Sequence, residues 1–258
     1  MVLITASCHI FPMADLAIAQ NNILLNNAGL EIRAYIAQPI DPGPWPGVIV
    51  FQEIFGVNAH IRDVTDRIAK LGYVAIAPAI YQRQVDNFEV GYSPEEVALG
   101  REYKVKTRAD ELLSDTQTAI AYLQAHAHVK HDAIGAIGFC FGGHVTYLAT
   151  TLPEIKAAAA FYGAGIATLT PGGGEPTITR TQQIQGKLYA FFGTKDDLIP
   201  NEQVSEIEAE LQKHKIDHQI FRYPTGHGFF CDRRGTYNEA AATDAWEKVQ
   251  QLFTETLK

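Results

Sequence analysis

Cys140 lies in the pentapeptide Gly138-Phe139-Cys140-Phe141-Gly142, directly after the apolar run 133–139. A G-x-C-x-G pattern between a strand and a helix suits a nucleophile at the tip of a sharp turn, because side chains two residues before and after it would collide. Such a turn aims the next helix's N-terminus at the sulfur, and the free N–H groups there stabilise negative charge on sulfur and on an attacked carbonyl oxygen. The groups that would activate a thiol follow in order. Residues 193–200 carry the adjacent carboxylates Asp196 and Asp197 after the apolar run 188–192, and Pro224-Thr225-Gly226-His227-Gly228 follows a run over about 218–223. His227 would take the proton of Cys140, and Asp196 or Asp197 would fix the imidazole tautomer, which is the chemistry of acyl transfer through a thioester. Taken singly, Cys140 could be a small buried hydrophobe, His227 a surface histidine and Asp196 a helix cap. Three residue types in this order, each after its own apolar run, favour the catalytic interpretation.

The elements that must position them alternate. Short apolar runs at 47–51, 73–77, 133–139, 157–162, 188–192 and about 218–223 read as buried strands. Amphipathic stretches between them, such as the one carrying Ile61, Val64, Ile68 and Leu71 and closed by Gly72, read as crossover helices. Residues 201–213 and 237–257 are two further helices. This pattern predicts an α/β fold with a mostly parallel sheet. Residues 30–37 read as an antiparallel strand at one edge, and the long mixed segment 82–106 as a partial cover over a site. Residues 1–20 are expected to be a poorly ordered tail, with Met1 or Met13 as initiator, and 21–258 a single domain.

With those residues in hand, the chain closely resembles the dienelactone hydrolase family of α/β-hydrolases. The resemblance begins at Val48-Ile49-Val50-Phe51-Gln52-Glu53-Ile54-Phe55-Gly56-Val57-Asn58, passes through Pro78-Ala79-Ile80-Tyr81 and 138–143, and extends beyond His227. It implies the α/β-hydrolase fold, a mostly parallel sheet flanked by helices on both faces, and hydrolysis of a small ester or lactone by Cys140, Asp196 and His227 without metal or organic cofactor. Asp196 is preferred over Asp197 because the family's acid stands four residues before the proline, here Pro200. The fold's architecture assigns the N–H groups of Ile54 and Phe141 to the oxyanion hole. Glu53 matches a family glutamate that controls the nucleophile's ionisation, a carboxylate beside sulfur disfavouring the thiolate. Arg83 matches an arginine that holds a substrate carboxylate, a task suited to a planar donor fork. The position of a second such arginine, four residues after the histidine, is Cys231, with Arg233 and Arg234 close by.

Other functions are disfavoured. A net charge of −8 argues against nucleic acid as partner, and no run of apolar residues is long enough for a membrane span. Three cysteines, Cys8, Cys140 and Cys231, have no disulfide-framework spacing, which points to free thiols and the cytoplasm. His126, His128 and His131 lack ligand spacing, and the run Gly172-Gly173-Gly174 lacks the Lys and Ser/Thr of a phosphate loop. His144, one turn beyond Cys140, is expected to pack against the sheet. The expected partner is a small ester or lactone, with or without a carboxylate, bound by a monomer. A thioesterase, a peptidase, or a ligand-binding homologue that has lost turnover remain as alternatives.

Overall fold

The structure is a computed structural model that describes residues 15–258. Eight strands form one sheet: β1 (Ile18–Asn27), β2 (Leu30–Pro39), β3 (Trp45–Phe51), β4 (Val74–Pro78), β5 (Val129–Phe139), β6 (Ile155–Phe161), β7 (Lys187–Gly193) and β8 (His218–Tyr223). Their order across the sheet is β1-β2-β4-β3-β5-β6-β7-β8. All pairings from β4 to β8 are parallel, and β1 and β2 add an antiparallel hairpin at one edge. The central strands are buried on both faces, which is why they are continuously apolar rather than alternating.

Helices α1 (Ala59–Lys70), α2 (Pro94–Val105), α3 (Ala109–Ala125), α4 (Phe141–Ala149), α5 (Asn201–Lys213) and α6 (Glu239–Leu257) complete the fold. On one face α3 packs beside α4. On the other α1 meets α6, where the Arg67 guanidinium lies 4.2 Å from the Trp246 ring centroid. Asn58 caps α1 by accepting the Ile61 N–H at 3.2 Å, and Gly72, at φ 88°, ends it.

The chain leaves β3 for β4 on one side and returns from β4 to β5 on the other side of β3. Beyond the carboxyl ends of β3 and β5 the crossovers therefore diverge, and open α/β sheets bind ligands in that crevice. Glu53 and Ile54 follow β3, and Cys140 follows β5.

Two expectations are corrected. The edge strand is β1, not residues 30–37, and it begins inside the stretch expected to be a tail; residues 1–14, and the rest of that expectation, lie outside those described. β1 carries Asn21, Asn22, Asn26 and Asn27 and is mostly exposed, so it lacks the alternation that marks a half-buried strand. It is formed by a tight hairpin whose central residues Ala28 and Gly29 both have positive φ. The cover segment is also more regular than expected. Ser93 and Glu96 form a reciprocal capping box with Pro94 in the first turn of α2, although Gly100 is the only buried residue of that helix.

With so little burial, α2 depends on its cap. Ser93→Ala should weaken it locally by about 1 kcal/mol. Amide exchange over 94–105 should then accelerate while the global Tm stays nearly constant; unchanged exchange would show the cap to be dispensable.

Candidate active site

The turn from β5 into α4 holds Cys140 at φ 55° and ψ −116°, a left-handed backbone that costs a non-glycine residue roughly 1–3 kcal/mol. Surrounding contacts enforce it. The Cys140 N–H donates to the Phe161 carbonyl at 3.0 Å, and its own carbonyl accepts from Gly143 at 3.0 Å and His144 at 3.2 Å. A Cβ at Gly138 would strike the Gly142 carbonyl and the Thr146 hydroxyl, and one at Gly142 would strike the Phe51 and Gln52 carbonyls. Glycine is therefore required at both flanks of the pentapeptide. The thiol is half-buried at the N-terminus of α4.

His227 and Asp196 are both buried, and Nδ1 of the imidazole donates to Asp196 Oδ2 at 2.7 Å. The other carboxylate oxygen accepts the Leu198 N–H at 2.9 Å, whereas Asp197 is exposed. Thr236 donates to the His227 carbonyl at 2.6 Å, and the Tyr162 ring stands edge-on to the imidazole at 5.1 Å between centroids. Nε2 is buried without a hydrogen-bond partner among the described residues. Burial pulls the imidazole's pKa down, but the charge of the Cys140 sulfur and the hydrogen bond to Asp196 outweigh it and raise the pKa to about 10. The sulfur is thus the group that acts on the free side of the ring.

Neither the Ile54 nor the Phe141 N–H donates a backbone hydrogen bond among the described residues. Ile54 is braced from outside by α2, because its carbonyl abuts Gly100 so closely that no Cβ would fit there. Phe141 is packed against Tyr81, ring centroids 6.2 Å apart, with the Lys104 ammonium 5.6 Å from its ring centroid. Both peptides are held while their N–H groups stay free.

Glu53 is fully buried and accepts from Arg234 Nη1 at 2.9 Å through Oε1. Arg234 also lies 5.9 Å from the Phe55 ring centroid. Cys231 is buried, and its thiol donates to the Tyr92 hydroxyl at 3.4 Å; burial first, then the charge of Glu53, push that thiol up to about 11. Arg83 already has a carboxylate partner within the chain. Its fork is taken by Asp115 of α3, at 3.0 Å and 2.6 Å, and Asn27 of β1 donates to the same carboxylate at 2.7 Å. Asp115 is almost wholly buried, so Arg83 neutralises its charge through the Nε and Nη2 edge of the guanidinium. His144 is a core residue, with Nδ1 on the Ala164 carbonyl at 3.0 Å and Nε2 on Thr177 Oγ1 at 2.7 Å; burial lowers its pKa to about 4.

The structure therefore brings Cys140, His227, Asp196, Glu53 and the Ile54 and Phe141 peptides to one end of the sheet, while Arg83 is paired with Asp115. Tyr162, Tyr92 and His60 were not singled out from the sequence. Only Tyr162 carried a signal, as the last residue of the apolar run 157–162.

A model of the dienelactone hydrolase family matches residues 32–257. The chain belongs to the dienelactone hydrolase family. A Synechocystis sp. protein, provisionally named a carboxymethylenebutenolidase, is 55% identical over 92% of this chain and 96% of its own length. A Bradyrhizobium sp. protein, provisionally named a 2-oxo-3-(5-oxofuran-2-ylidene)propanoate lactonase, is 31% identical over 92% of this chain and 94% of its own. The crystal structure of a provisionally assigned dienelactone hydrolase from Klebsiella pneumoniae superposes with a TM-score of 0.85 at 31% identity, covering 93% of this chain and 99% of that one. The expected α/β-hydrolase fold is thereby established, and the protein is a hydrolase of that fold. Among the described residues no helix is long and apolar enough to cross a membrane.

Two outcomes are expected from this geometry. Arg83→Met leaves the Asp115 charge without its partner; a fully buried pair loses about 3–5 kcal/mol in this way, and partial exposure of Arg83 brings the expected loss to about 2–3 kcal/mol in urea unfolding. Cys140→Ala removes the charge that favours the imidazolium, so the His227 pKa must fall. NMR titration of the ring protons should show a drop of more than a unit, and an unmoved titration would mean that sulfur and ring do not interact.

Proposed function

We propose that this protein hydrolyses small carboxylic esters and lactones through a thioester on Cys140. The observation that carries the proposal is the state of His227: one ring nitrogen is spoken for by Asp196 at 2.7 Å, and the other is buried, unpartnered and under the influence of the Cys140 sulfur. A base oriented on one side and free on the other is what thiol activation needs.

The chemistry then runs in two stages. The Cys140 sulfur attacks the carbonyl carbon with its proton already held on His227, whose raised basicity favours that transfer, and the carbonyl oxygen becomes an oxyanion that the Ile54 and Phe141 N–H groups can receive. Collapse of this intermediate breaks the bond to the alkoxide, which leaves with the proton from His227; in a lactone it stays tethered to the acyl group. Water attacks the thioester carbonyl, giving its proton to His227, and a second collapse releases the sulfur and the acid and leaves that proton on His227. Glu53, tied to Arg234 and adjacent to Ile54 in sequence, supplies a negative charge near this centre, which opposes a standing thiolate.

The lactonase name of the Bradyrhizobium relative supports lactones as substrates. Engagement of Arg83 by Asp115 argues against that residue as the holder of a substrate carboxylate. Free Cys140 and Cys231 thiols fit a reducing compartment such as the cytoplasm, and we take the functional unit to be the monomer.

An activated aryl ester should leave an acyl group on Cys140, visible as a mass increment on its tryptic peptide. Cys140→Ala should lose both adduct and turnover. Asp196→Asn preserves shape but favours the wrong imidazole tautomer, so kcat should drop by about 10⁴-fold. Full turnover by Cys140→Ala would sink the proposal.

A further inference from the structure

Glu53, His60 and Cys231 come from three parts of the chain: the turn after β3, the first turn of α1 and the segment after β8. All three are buried, and their potential ligand atoms lie within 4.8 Å of one another. Glu53 and His60 each carry a buried side-chain atom, Oε2 and Nε2, that has no hydrogen-bond partner among the described residues. Buried polar atoms are almost always satisfied by protein, water or an ion, so an orphaned carboxylate oxygen and an orphaned imidazole nitrogen on two residues clustered with a thiol point to an occupant.

We propose that Glu53, His60 and Cys231 form a binding site for a divalent cation of the zinc class, with the fourth position open to water. A sulfur, an imidazole nitrogen and a carboxylate oxygen make a borderline-soft set that suits zinc, whereas calcium and magnesium require oxygen donors. Binding would replace the Cys231 thiol proton, which leaves to solvent, with the metal.

The supporting contacts fit. Arg234 holds Glu53 Oε1 at 2.9 Å and leaves Oε2 free, as an outer partner of a ligating carboxylate does. Tyr92, near the Cys231 sulfur at 3.4 Å, is itself fixed by the Asn58 amide at 3.1 Å. His60 also lines a surface groove, together with Asn58, Tyr92 and Arg233. The sequence alone predicted no metal, because these ligands are scattered and lack any motif spacing. The site does not depend on Cys140 acting as nucleophile and stands if the hydrolase proposal falls.

The test removes the other two thiols. In a Cys8→Ala/Cys140→Ala protein, Cys231 is the only cysteine left. Equilibrium dialysis should show one equivalent of Zn²⁺, and Co²⁺ should give a thiolate-to-cobalt absorption band. Cys231→Ser should abolish that band, and Cys231→Ser and His60→Gln should each weaken zinc binding by more than about 100-fold, beyond what losing an outer partner costs. Circular dichroism of the metal-free variants confirms folding, and Glu53→Gln replaces His60→Gln if the latter fails to fold. Absence of bound zinc, a cobalt spectrum without the thiolate band, or binding that survives these substitutions would overturn the site and leave water as the partner of the orphaned atoms.

Discussion

The organising constraint of this molecule is the close approach of three backbones at the carboxyl edge of the sheet. The turn after β5 presses against the ends of β3 and β6 so tightly that the Phe51 and Gln52 carbonyls occupy the space of a Gly142 side chain, and the Phe161 carbonyl that of a Gly143 side chain. Neighbouring strands are only about 4.8 Å apart, so a helix that begins between two of them must begin with glycines. That crowding sets Cys140 in its left-handed conformation, aims the start of α4 at the sulfur and leaves the Phe141 N–H unpaired. It also fixes how near the chain emerging from β3 can pass, and hence where Glu53 and the Ile54 peptide lie.

Features dictated by steric or solvation rules on a single segment were legible in the sequence. Glycine on both sides of Cys140, continuous apolar strands at the centre of the sheet and Gly72 after α1 each follow from local necessity. Features that depend on a distant partner were not. Arg83 reads as an available cation until the fold sets it against Asp115, 32 residues away, and Glu53 finds Arg234 across 181 residues. Asp196 and Asp197 are chemically equal neighbours in sequence, and only the path of the turn after β7 directs one to His227 and the other to solvent. β1 escaped notice for another reason: an edge strand gains its hydrogen bonds from one neighbour and buries little, so selection for alternation is weak and polar residues protect the open edge.

Substitution at position 231 acquires a structural meaning in this light. The resemblance places a second carboxylate-binding arginine there, yet Cys231 is wholly buried against Tyr92, and the guanidinium that reaches Glu53 comes from Arg234, three residues on. The same short segment thus supplies a cation to Glu53 from one residue and a thiol close to the same carboxylate from another.

Glu53 consequently joins the two halves of the site. A buried ion pair contributes little net stability, because the desolvation of both charges offsets most of their attraction, but it strongly fixes orientation once formed. Here the fixed residue immediately precedes Ile54, whose carbonyl is wedged against Gly100 of α2 and whose N–H is free. A peptide flanked by a salt-bridged side chain on one side and a steric stop on the other has little freedom to rotate. Any change in what Glu53 binds, whether Arg234 lets go or its second oxygen finds a partner, must therefore strain or shift the Ile54 N–H. The Glu53 carboxylate and the Ile54 N–H are mechanically one unit.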